Sequence, residues 1–408
     1  MHHLTTSALA LALLAGPALA ECGIPAGSVR ILSNDFPALH AVESAAKECA
    51  SDTVTVTANA TAEHQSIQVP ALTVDPAEYT VAVVANDSIP ALLNAGLIRP
   101  LDDLVAEWGQ GLDPSQLIKV NGETVAVAFM ANAQALTYRT DILEAAGVAP
   151  PRTYEEVLAA AEAIRAAGLM ETPLGASNGA GWDLAAEFVN MYMGLGGELF
   201  EPGTATLAID PAKGAQALEM MKALSAYMPP DNMTFDTNAL ASRFQQGQVA
   251  IMNMWGSRAG SFLGDDALPE VAANTAFAAA PTVGGGTIPA TALWWDGFTI
   301  ARNIPDEDAE ASFRAMVHAI QLLTAEANPD AAAWLVPGFE PGPASQGVIE
   351  SARAGARPYP IEPWMGVLHG ALGQELPGFM LGDEDAATAL EGVAAAYEVG
   401  ARQQGFLQ

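Results

Sequence analysis

The sequence is poor in basic residues. Lysine and arginine together number 16 against 47 aspartates and glutamates, and the formal net charge is −31. A chain of this charge repels nucleic acid and anionic membranes, so we expect neither as a partner. The imbalance alone does not identify a cationic ligand, because an acidic surface also serves solubility.

Long apolar runs are scarce as well. The unbroken run at residues 8–15 is shorter than the roughly 18–20 residues that cross a bilayer. Gly16 and Pro17 end it, and Ala18-Leu19-Ala20 has the small-x-small pattern of a signal-peptidase site. We therefore predict a signal peptide at residues 1–20 and export to the periplasm. Because no second run of that length follows, we expect the mature protein to be soluble.

Cysteine occurs only twice, as Cys22 and Cys49. Lipid anchoring of Cys22 is the alternative to a disulfide, but Glu21 stands where a lipoprotein signal has a small residue. An oxidising compartment permits disulfides, so we predict a Cys22–Cys49 bridge that ties the N-terminal tail to the end of the first helix. Two cysteines alone do not make a metal site, and we expect neither a metal nor a cofactor.

Signatures of enzymes are weak. The sequence has no H-E-x-x-H motif, and no Lys-Ser or Lys-Thr follows Gly284-Gly285-Gly286 as a phosphate loop requires. Gly175-Ala176-Ser177-Asn178-Gly179 matches the letters of a G-x-S-x-G nucleophile elbow, which needs a strand before the serine and a helix directly after it. Pro173 interrupts the approach and further glycines delay any helix. We expect no catalysis; a secreted hydrolase is the alternative.

Strands and helices alternate along the first hundred residues. The pattern predicts strands at 29–33, 54–58 and 79–84 and helices at 37–49 and 88–95, which indicates a parallel sheet with helices on its faces. Later helices are predicted at 153–167, opened by a Thr153–Glu156 capping box, and at 385–403. In parallel sheets ligands bind beyond the carboxyl ends of the strands. Here these ends carry Asn34, Asp35, His64, Gln65 and Asp87.

Four stretches of the sequence are similar to one known family. They are Asn121-Gly122-Glu123 with Leu136-Thr137-Tyr138-Arg139-Thr140-Asp141 and residues 150–156; Phe244-Gln245-Gln246-Gly247 through Met252 with Trp255; Trp295-Asp296-Gly297-Phe298-Thr299-Ile300; and Gly382-Asp383-Glu384-Asp385 through Leu390. The sequence resembles the family 1 extracellular solute-binding proteins of ABC transporters, the group that contains maltose-binding protein. The resemblance extends over nearly the whole mature chain.

The resemblance implies an α/β fold of two lobes with the ligand in the cleft between them. Lobe one would comprise residues 21–130 plus 287–328, and lobe two residues 131–286 plus 329–408. The resemblance further implies closure on the ligand and docking of the closed form on a membrane permease. We expect a monomer.

Sugars have apolar faces and a ring of hydroxyl groups, so a site for them needs aromatic rings and fixed polar groups. Trp182 lies in a polar, glycine-rich loop, and Trp255 follows a buried strand where the family has a stacking aromatic. Trp294 and Trp295 point to opposite faces of a strand, so at most one of them faces the cleft. The predicted ligand-binding residues are Asn34, Asp35, His64, Gln65, Asp87, Trp182, Trp255, Trp294, Trp295, Asp296 and Trp364.

We therefore predict a solute-binding protein that captures a carbohydrate, either a sugar or a polyol, for an ABC transporter. The alternative ligand is a cationic solute such as a betaine or a polyamine, held by tryptophans together with carboxylates. The carboxylates considered for it are Asp35, Asp87, Asp183 and Asp296. The two ligands differ in what they require: a cation needs aromatic rings boxed around one small site, and a sugar needs a groove of amides and mixed polar groups.

Overall fold

The structure, a computed structural model, describes residues 22–322 and 330–408. The predicted signal peptide lies outside the described residues. No helix in these two ranges combines the length and the apolar character needed to span a bilayer.

Twelve strands are found among the described residues. In chain order they are β1 (Gly27–Ser33), β2 (Val54–Ala60), β3 (Val81–Ala85), β4 (Leu117–Val120), β5 (Glu123–Asn132), β6 (Gln134–Arg139), β7 (Leu174–Gly175), β8 (Ile251–Trp255), β9 (Thr275–Ala278), β10 (Ala292–Ile300), β11 (Ala333–Trp334) and β12 (Arg357–Pro358). They form two sheets. The first has the order β11-β5-β10-β3-β1-β2, with β4 paired to β5 and β12 to β10; the second has the order β7-β8-β6-β9.

Helices cover both sheets. They are α1 (Pro37–Lys47), α2 (His64–Thr73), α3 (Ile89–Asn94), α4 (Asp102–Trp108), α5 (Thr140–Ala146), α6 (Tyr154–Ala166), α7 (Trp182–Gly194), α8 (Pro211–Ser225), α9 (Thr237–Gln245), α10 (Pro269–Asn274), α11 (Asp306–Leu322), α12 (Gln346–Arg353), α13 (Met365–Leu381) and α14 (Ala386–Gln403). Side-chain caps start several of them. The Thr153 hydroxyl accepts from the Glu156 amide to open α6, as predicted, and Asp385 accepts from the Thr388 amide to open α14.

The first three strands have the predicted parallel arrangement, with β1 between β2 and β3. The sheet as a whole is mixed, because β10 is inserted antiparallel between β3 and β5. β10 lies far from β3 and β5 in the sequence, so local sequence patterns do not predict its position between them. It brings its own residues to the same sheet edge as the ends of β1 and β3.

Two separate hydrophobic cores underlie the two sheets. The first core packs buried residues from 29–130, 298–320 and 332–336, and the second packs buried residues from 136–294 and 344–401. Trp334 and Val336, which the sequence division put with the second lobe, pack in the first core because β11 pairs with β5. Residues 290–294 pack in the second core although the same division put them with the first.

The chain passes between the two cores in three places. The first crossing is Ala133, a fully buried residue that joins β5 of one sheet to β6 of the other. The second is β10, which contributes Trp294 to the second core and Phe298 to the first. The third lies between Val336 and Ala344. Such crossings allow two lobes to move about a shared axis.

The predicted disulfide is present. Cys22 and Cys49 are bonded, with their Cα atoms 5.5 Å apart. The bridge holds the segment before β1 against the chain just after α1. Within the described ranges, the one group of side chains close enough to hold a metal ion is Cys22, Cys49 and His318, and both of its sulfurs are in this disulfide.

Candidate functional site

A cavity of about 490 Å³ lies between the two cores. Its lining includes, on the side of the first core, Asn34, Phe36, His64, Gln65, Asp87, Asn132 and Asp296, and on the other side Trp182, Asp183, Trp255, Ser257, Arg258 and Trp294. We call this space the cleft cavity. Its volume is within the range of small-molecule binding sites.

The topology of the first sheet explains why distant residues meet here. Strands β1, β2 and β3 are parallel, so the residues that follow them gather at one edge of the sheet. Asn34 follows β1, His64 and Gln65 begin α2 after β2, and Asp87 follows β3. Asp296 joins them because β10 places it opposite Ala85, two residues before Asp87.

Three indole rings form one wall of the cleft cavity. The ring centroids of Trp182, Trp255 and Trp294 are 5.6–6.1 Å apart, so each ring contacts the other two. Trp255 and Trp294 are 7% exposed, and Trp294 is stacked on Tyr359 with centroids 3.9 Å apart. Trp182 is 37% exposed and therefore offers most of the accessible aromatic surface.

A chain of hydrogen bonds beneath Trp182 fixes its backbone. His369 Nε2 lies 2.9 Å from the Trp182 carbonyl oxygen, and His369 Nδ1 lies 2.8 Å from the Tyr359 hydroxyl. Burial lowers the pKa of His369 to about 4, so the ring is neutral at pH 7. Nε2 must then donate to the carbonyl, and Nδ1 accepts from the hydroxyl. Asn86 donates to the Tyr359 carbonyl oxygen at 3.2 Å, which connects this chain to the first sheet.

Asp87 is bonded to groups on both sides of the cleft cavity. Its Oδ2 accepts from Gln65 Nε2 at 2.8 Å and from Trp182 Nε1 at 3.1 Å. Its Oδ1 is buried and has no hydrogen-bond partner among the described residues. Burial raises the pKa of Asp87, and the two donated hydrogen bonds oppose that rise. The Trp182 bond joins the second core to the first directly.

Two further carboxylates of the lining, those of Asp296 and Asp183, are partly buried. Burial and the nearby charge of Asp87 raise the pKa of Asp296 to about 7, against the opposing charge of Arg258. Burial raises the pKa of Asp183 to about 6, although its Oδ1 accepts from the Thr237 hydroxyl at 2.8 Å. Both groups therefore bear a desolvation penalty that a suitable ligand would relieve.

Arg258 is the one arginine or lysine in the lining. Its guanidinium donates to Ser257 Oγ and to Asn238 Oδ1, both at 3.3 Å, and lies 4.6 Å from the centre of the Phe36 ring. The Phe36 contact is a second direct bridge between the two sides of the cavity. Burial lowers the pKa of Arg258 to about 10, so it stays charged at pH 7. It supplies hydrogen-bond donors in a lining that is otherwise rich in acceptors.

A buried hydrogen-bond network connects helix α7 to two of the places where the chain passes between the cores. Gln134 Nε2 donates to Glu187 Oε1 at 2.8 Å, and Asn190 Nδ2 donates to Gln134 Oε1 at 3.1 Å. Asn190 Oδ1 in turn accepts from the Ala292 amide at 2.8 Å. Gln134 begins β6 and Ala292 begins β10, so the helix that starts with Trp182 is bonded to both strands that pass between the cores.

Eight of the predicted ligand-binding residues line the cleft cavity: Asn34, His64, Gln65, Asp87, Trp182, Trp255, Trp294 and Asp296. Three lie elsewhere. Asp35 bonds His40 Nε2 at 2.8 Å on the surface, Trp295 packs against the first core, and Trp364 packs edge-on against Phe200 in the second. Trp294 and Asp296 share one face of β10, as alternate residues of a strand do, whereas Trp295 points to the other.

Sequence reasoning missed the role of Arg258 in the lining. A basic residue three positions after the predicted Trp255 was the available signal, but a single arginine beyond a strand end is common on protein surfaces. Ser257 and Asn132 were also missed; they bond each other across the cleft floor, with Asn132 Nδ2 donating to Ser257 Oγ at 3.1 Å. Their contact depends on strands that are far apart in sequence.

The architecture of two cores with an intervening cleft is that of the two-lobe periplasmic binding proteins. The structure is similar to a ribitol-bound ABC transporter solute-binding protein from Agrobacterium radiobacter K84, with 19% identity over 92% of this chain and 99% of that one and a TM-score of 0.76. It is similar to maltose-bound MalE3 of T. maritima, with 17% identity over 92% and 100% of the chains and a TM-score of 0.77.

A third similar structure is a solute-binding protein from Agrobacterium vitis S4 with bound D-mannitol, at 18% identity over 93% and 99% of the chains and a TM-score of 0.76. Direct comparison with curated protein sequences finds no match. The sequence profile described as "bacterial extracellular solute-binding protein" matches residues 50–333. The chain belongs to this family and is a solute-binding protein of ABC transporters, as its resemblance implied.

Proposed function

We propose that this protein captures a carbohydrate, either a sugar or a polyol, and delivers it to the membrane permease of an ABC transporter. In this proposal residues 1–20 direct export and are then removed. The mature protein acts in the periplasm as a monomer, without catalysis.

The surroundings of Trp182 carry the proposal. An exposed indole face lies beside carboxylate acceptors on one side, Asp87 and Asp296, and beside the guanidinium donors of Arg258 on the other. A sugar ring or a polyol chain has one apolar surface and several hydroxyl groups that both donate and accept. An aromatic face with mixed polar groups around it is complementary to that chemistry. The ligands named for the similar structures are ribitol, D-mannitol and maltose, which belong to the same class.

A cationic solute such as a betaine or a polyamine is the second candidate. The observation in its favour is that the carboxylates of the lining outnumber its one guanidinium. A cage for such a cation needs several ring faces turned towards one point. Here Trp255 and Trp294 are almost completely buried, and amides of Asn34, Gln65 and Asn132 share the lining. These features favour the carbohydrate.

A thermal-shift screen of residues 22–408 tests the proposal. The panel contains ribitol, mannitol, maltose and common monosaccharides on one side, and glycine betaine and putrescine on the other. A ligand that binds only the folded protein raises the melting temperature by an amount that grows with concentration above Kd. We expect a shift from a sugar or a polyol. A shift from betaine or putrescine alone would establish the second candidate instead, and no shift from any carbohydrate would contradict the proposal.

A further inference from the structure

The charges in the lining of the cleft cavity are far from balanced. Five carboxylates, those of Glu63, Asp87, Asp183, Asp236 and Asp296, face one guanidinium. His64 does not add a positive charge, because burial lowers its pKa to about 4. Glu63 and Asp236 are exposed, but a neutral ligand that filled the cavity would displace water from Asp87, Asp183 and Asp296 without supplying any opposite charge.

The imbalance is greatest at Asp87 and Asp296. Neither forms an ion pair with a basic side chain of the described residues, and no described group donates a hydrogen bond to the Asp296 carboxylate. Arg258 does not fill this gap, since its hydrogen bonds go to Ser257 and Asn238. The charge of Asp87 also disfavours ionisation of Asp296. Two carboxylates that repel each other either keep a proton or bind a cation, and a cationic ligand stabilises the ionised form of both.

Other groups in the same cavity are arranged for a neutral, hydroxylated ligand. The indole nitrogen of Trp294 is buried without a partner among the described residues, and its side chain lines the cavity. The amides of Asn34 and Gln65 share the lining, so several donors and acceptors there can bond to hydrogen-bonding groups of a ligand. A simple amine has too few such groups to bond them all, whereas a sugar or a polyol has several.

We propose that the ligand combines both features and is an amino sugar or an aminopolyol, whose protonated amine contacts Asp87 and Asp296 while its hydroxyl groups bond the rest of the lining. This inference rests on the proposed carbohydrate function and specifies its substrate class. The amine lies on the side of the first core. The carbon skeleton covers the exposed face of Trp182, and hydroxyl groups reach Arg258.

Matched ligand pairs test the inference. Isothermal titration calorimetry at pH 7.5 would compare 1-amino-1-deoxysorbitol with sorbitol, and glucosamine with glucose and N-acetylglucosamine. The alkyl amine of the aminopolyol keeps its proton at this pH, as a lysine side chain does. We expect the amine to bind at least roughly tenfold more tightly than the hydroxyl compound in at least one pair. The acetylated amine of N-acetylglucosamine carries no charge, so this compound should not show the tighter binding expected of glucosamine.

The variant Asp296→Asn tests the location of the amine. It should lower the affinity for the amine far more than the affinity for the neutral parent, so that most of the preference for the amine is lost; Asp87→Asn is the second variant should the first fail to fold. Equal or tighter binding of the neutral parent by the wild-type protein would overturn the inference and leave the carbohydrate function intact. Binding of betaine or putrescine with no binding of any polyhydroxylated compound would overturn both.

Discussion

At the scale of single residues, Trp182 is the side chain that touches both sides of the cleft. Its backbone is held by His369, its ring contacts Trp255 and Trp294, and its indole N–H donates across the cavity to Asp87. The exposed part of the ring lines the cleft cavity. Its replacement should therefore affect ligand binding far more than folding.

We predict that Trp182→Ala lowers ligand affinity at least roughly tenfold, since the variant loses both the stacking surface and the hydrogen bond to Asp87. Titration calorimetry with the best ligand of the screen measures the change. Trp364→Phe is the matched control, because Trp364 packs against Phe200 and Phe406 outside the cavity. If the control loses as much affinity as Trp182→Ala, the assignment of the cleft is wrong.

Glu187 is a second residue with a measurable consequence. It is buried in α7, and burial raises its pKa to about 8, so the carboxyl is neutral at pH 7. In the unfolded chain the same group ionises near its ordinary pKa of about 4.3. Between these two values the folded protein binds more protons than the unfolded chain. The free energy of unfolding must therefore fall as the pH rises through this window.

We predict that Glu187→Gln removes this part of the pH dependence while it keeps an acceptor for Gln134. The free energy of unfolding of the variant, relative to that of the wild type, should rise by at most about 1.4 kcal/mol per pH unit between pH 5 and 8. Urea unfolding at several pH values gives the difference. The exposed Glu219→Gln is the control, and its curve should run parallel to that of the wild type. A parallel curve for Glu187→Gln would show that the carboxyl is charged in the native protein.

At the scale of elements, the disulfide connects the chain before β1 to the end of α1. The two cysteines are 27 residues apart in sequence. A cross-link across a loop of that length stabilises a protein by about 3–4 kcal/mol in the chain-entropy model. Both β1 and α1 lie in the first core, so the effect belongs to the lobe that carries Asn34 and Asp87.

We predict that the double variant Cys22→Ser, Cys49→Ser unfolds with a free energy about 3 kcal/mol smaller than that of the wild type. Urea denaturation followed by circular dichroism measures this loss. Wild-type protein treated with a reductant should match the variant. Identical midpoints for oxidised wild type and double variant would mean that the bridge adds no stability.

The elements also differ in how well their positions follow from sequence. Helix α6 was predicted within a residue or two because Thr153 and Glu156 mark its start and Gly168 its end. Strands β1 to β3 were found from short apolar runs between polar segments. The position of β10 in the sheet was not predicted, because its antiparallel pairing to both β3 and β5 depends on residues more than 150 positions away. Pairing across such distances leaves no local pattern.

At the scale of the whole molecule, side chains join the two sides of the cleft at several points. They include the Trp182–Asp87 hydrogen bond, the contact of Arg258 with the Phe36 ring, the bond from Asn132 to Ser257 and the bond from Asn86 to the Tyr359 carbonyl oxygen. Three crossings join the same cores at the cleft floor. Contacts of this kind favour the closed arrangement, and a ligand that bonds both sides would favour it further.

We predict that the double variant Trp182→Phe, Arg258→Met is more open without ligand than the wild type. Loss of the indole donor and of the guanidinium contact removes two of these contacts, so the radius of gyration measured by small-angle X-ray scattering should increase. Addition of the cognate ligand to the wild type should leave its radius unchanged or decrease it. Superimposable curves for the variant and the wild type would mean that the crossings and the remaining contacts hold the cleft closed without these two.

The family, the α/β class, the disulfide and eight side chains of the cavity lining could be predicted from the sequence. These features depend on capping residues, apolar periodicity and motifs, all of which involve residues close together in the sequence. Asn34, Gln65 and Asp87 were found because the carboxyl ends of parallel strands share an edge.

The contacts among the tryptophans and the grouping of charged side chains in the cavity could be read from the tertiary structure alone. It placed Trp294 in the cavity and turned Trp295 towards the first core, since the two alternate along β10. It packed Trp364 away from the cleft and brought Arg258 opposite Asp296. The direction of a side chain depends on strand register and on packing between segments far apart in the chain. The residues next to it in the sequence determine neither of these.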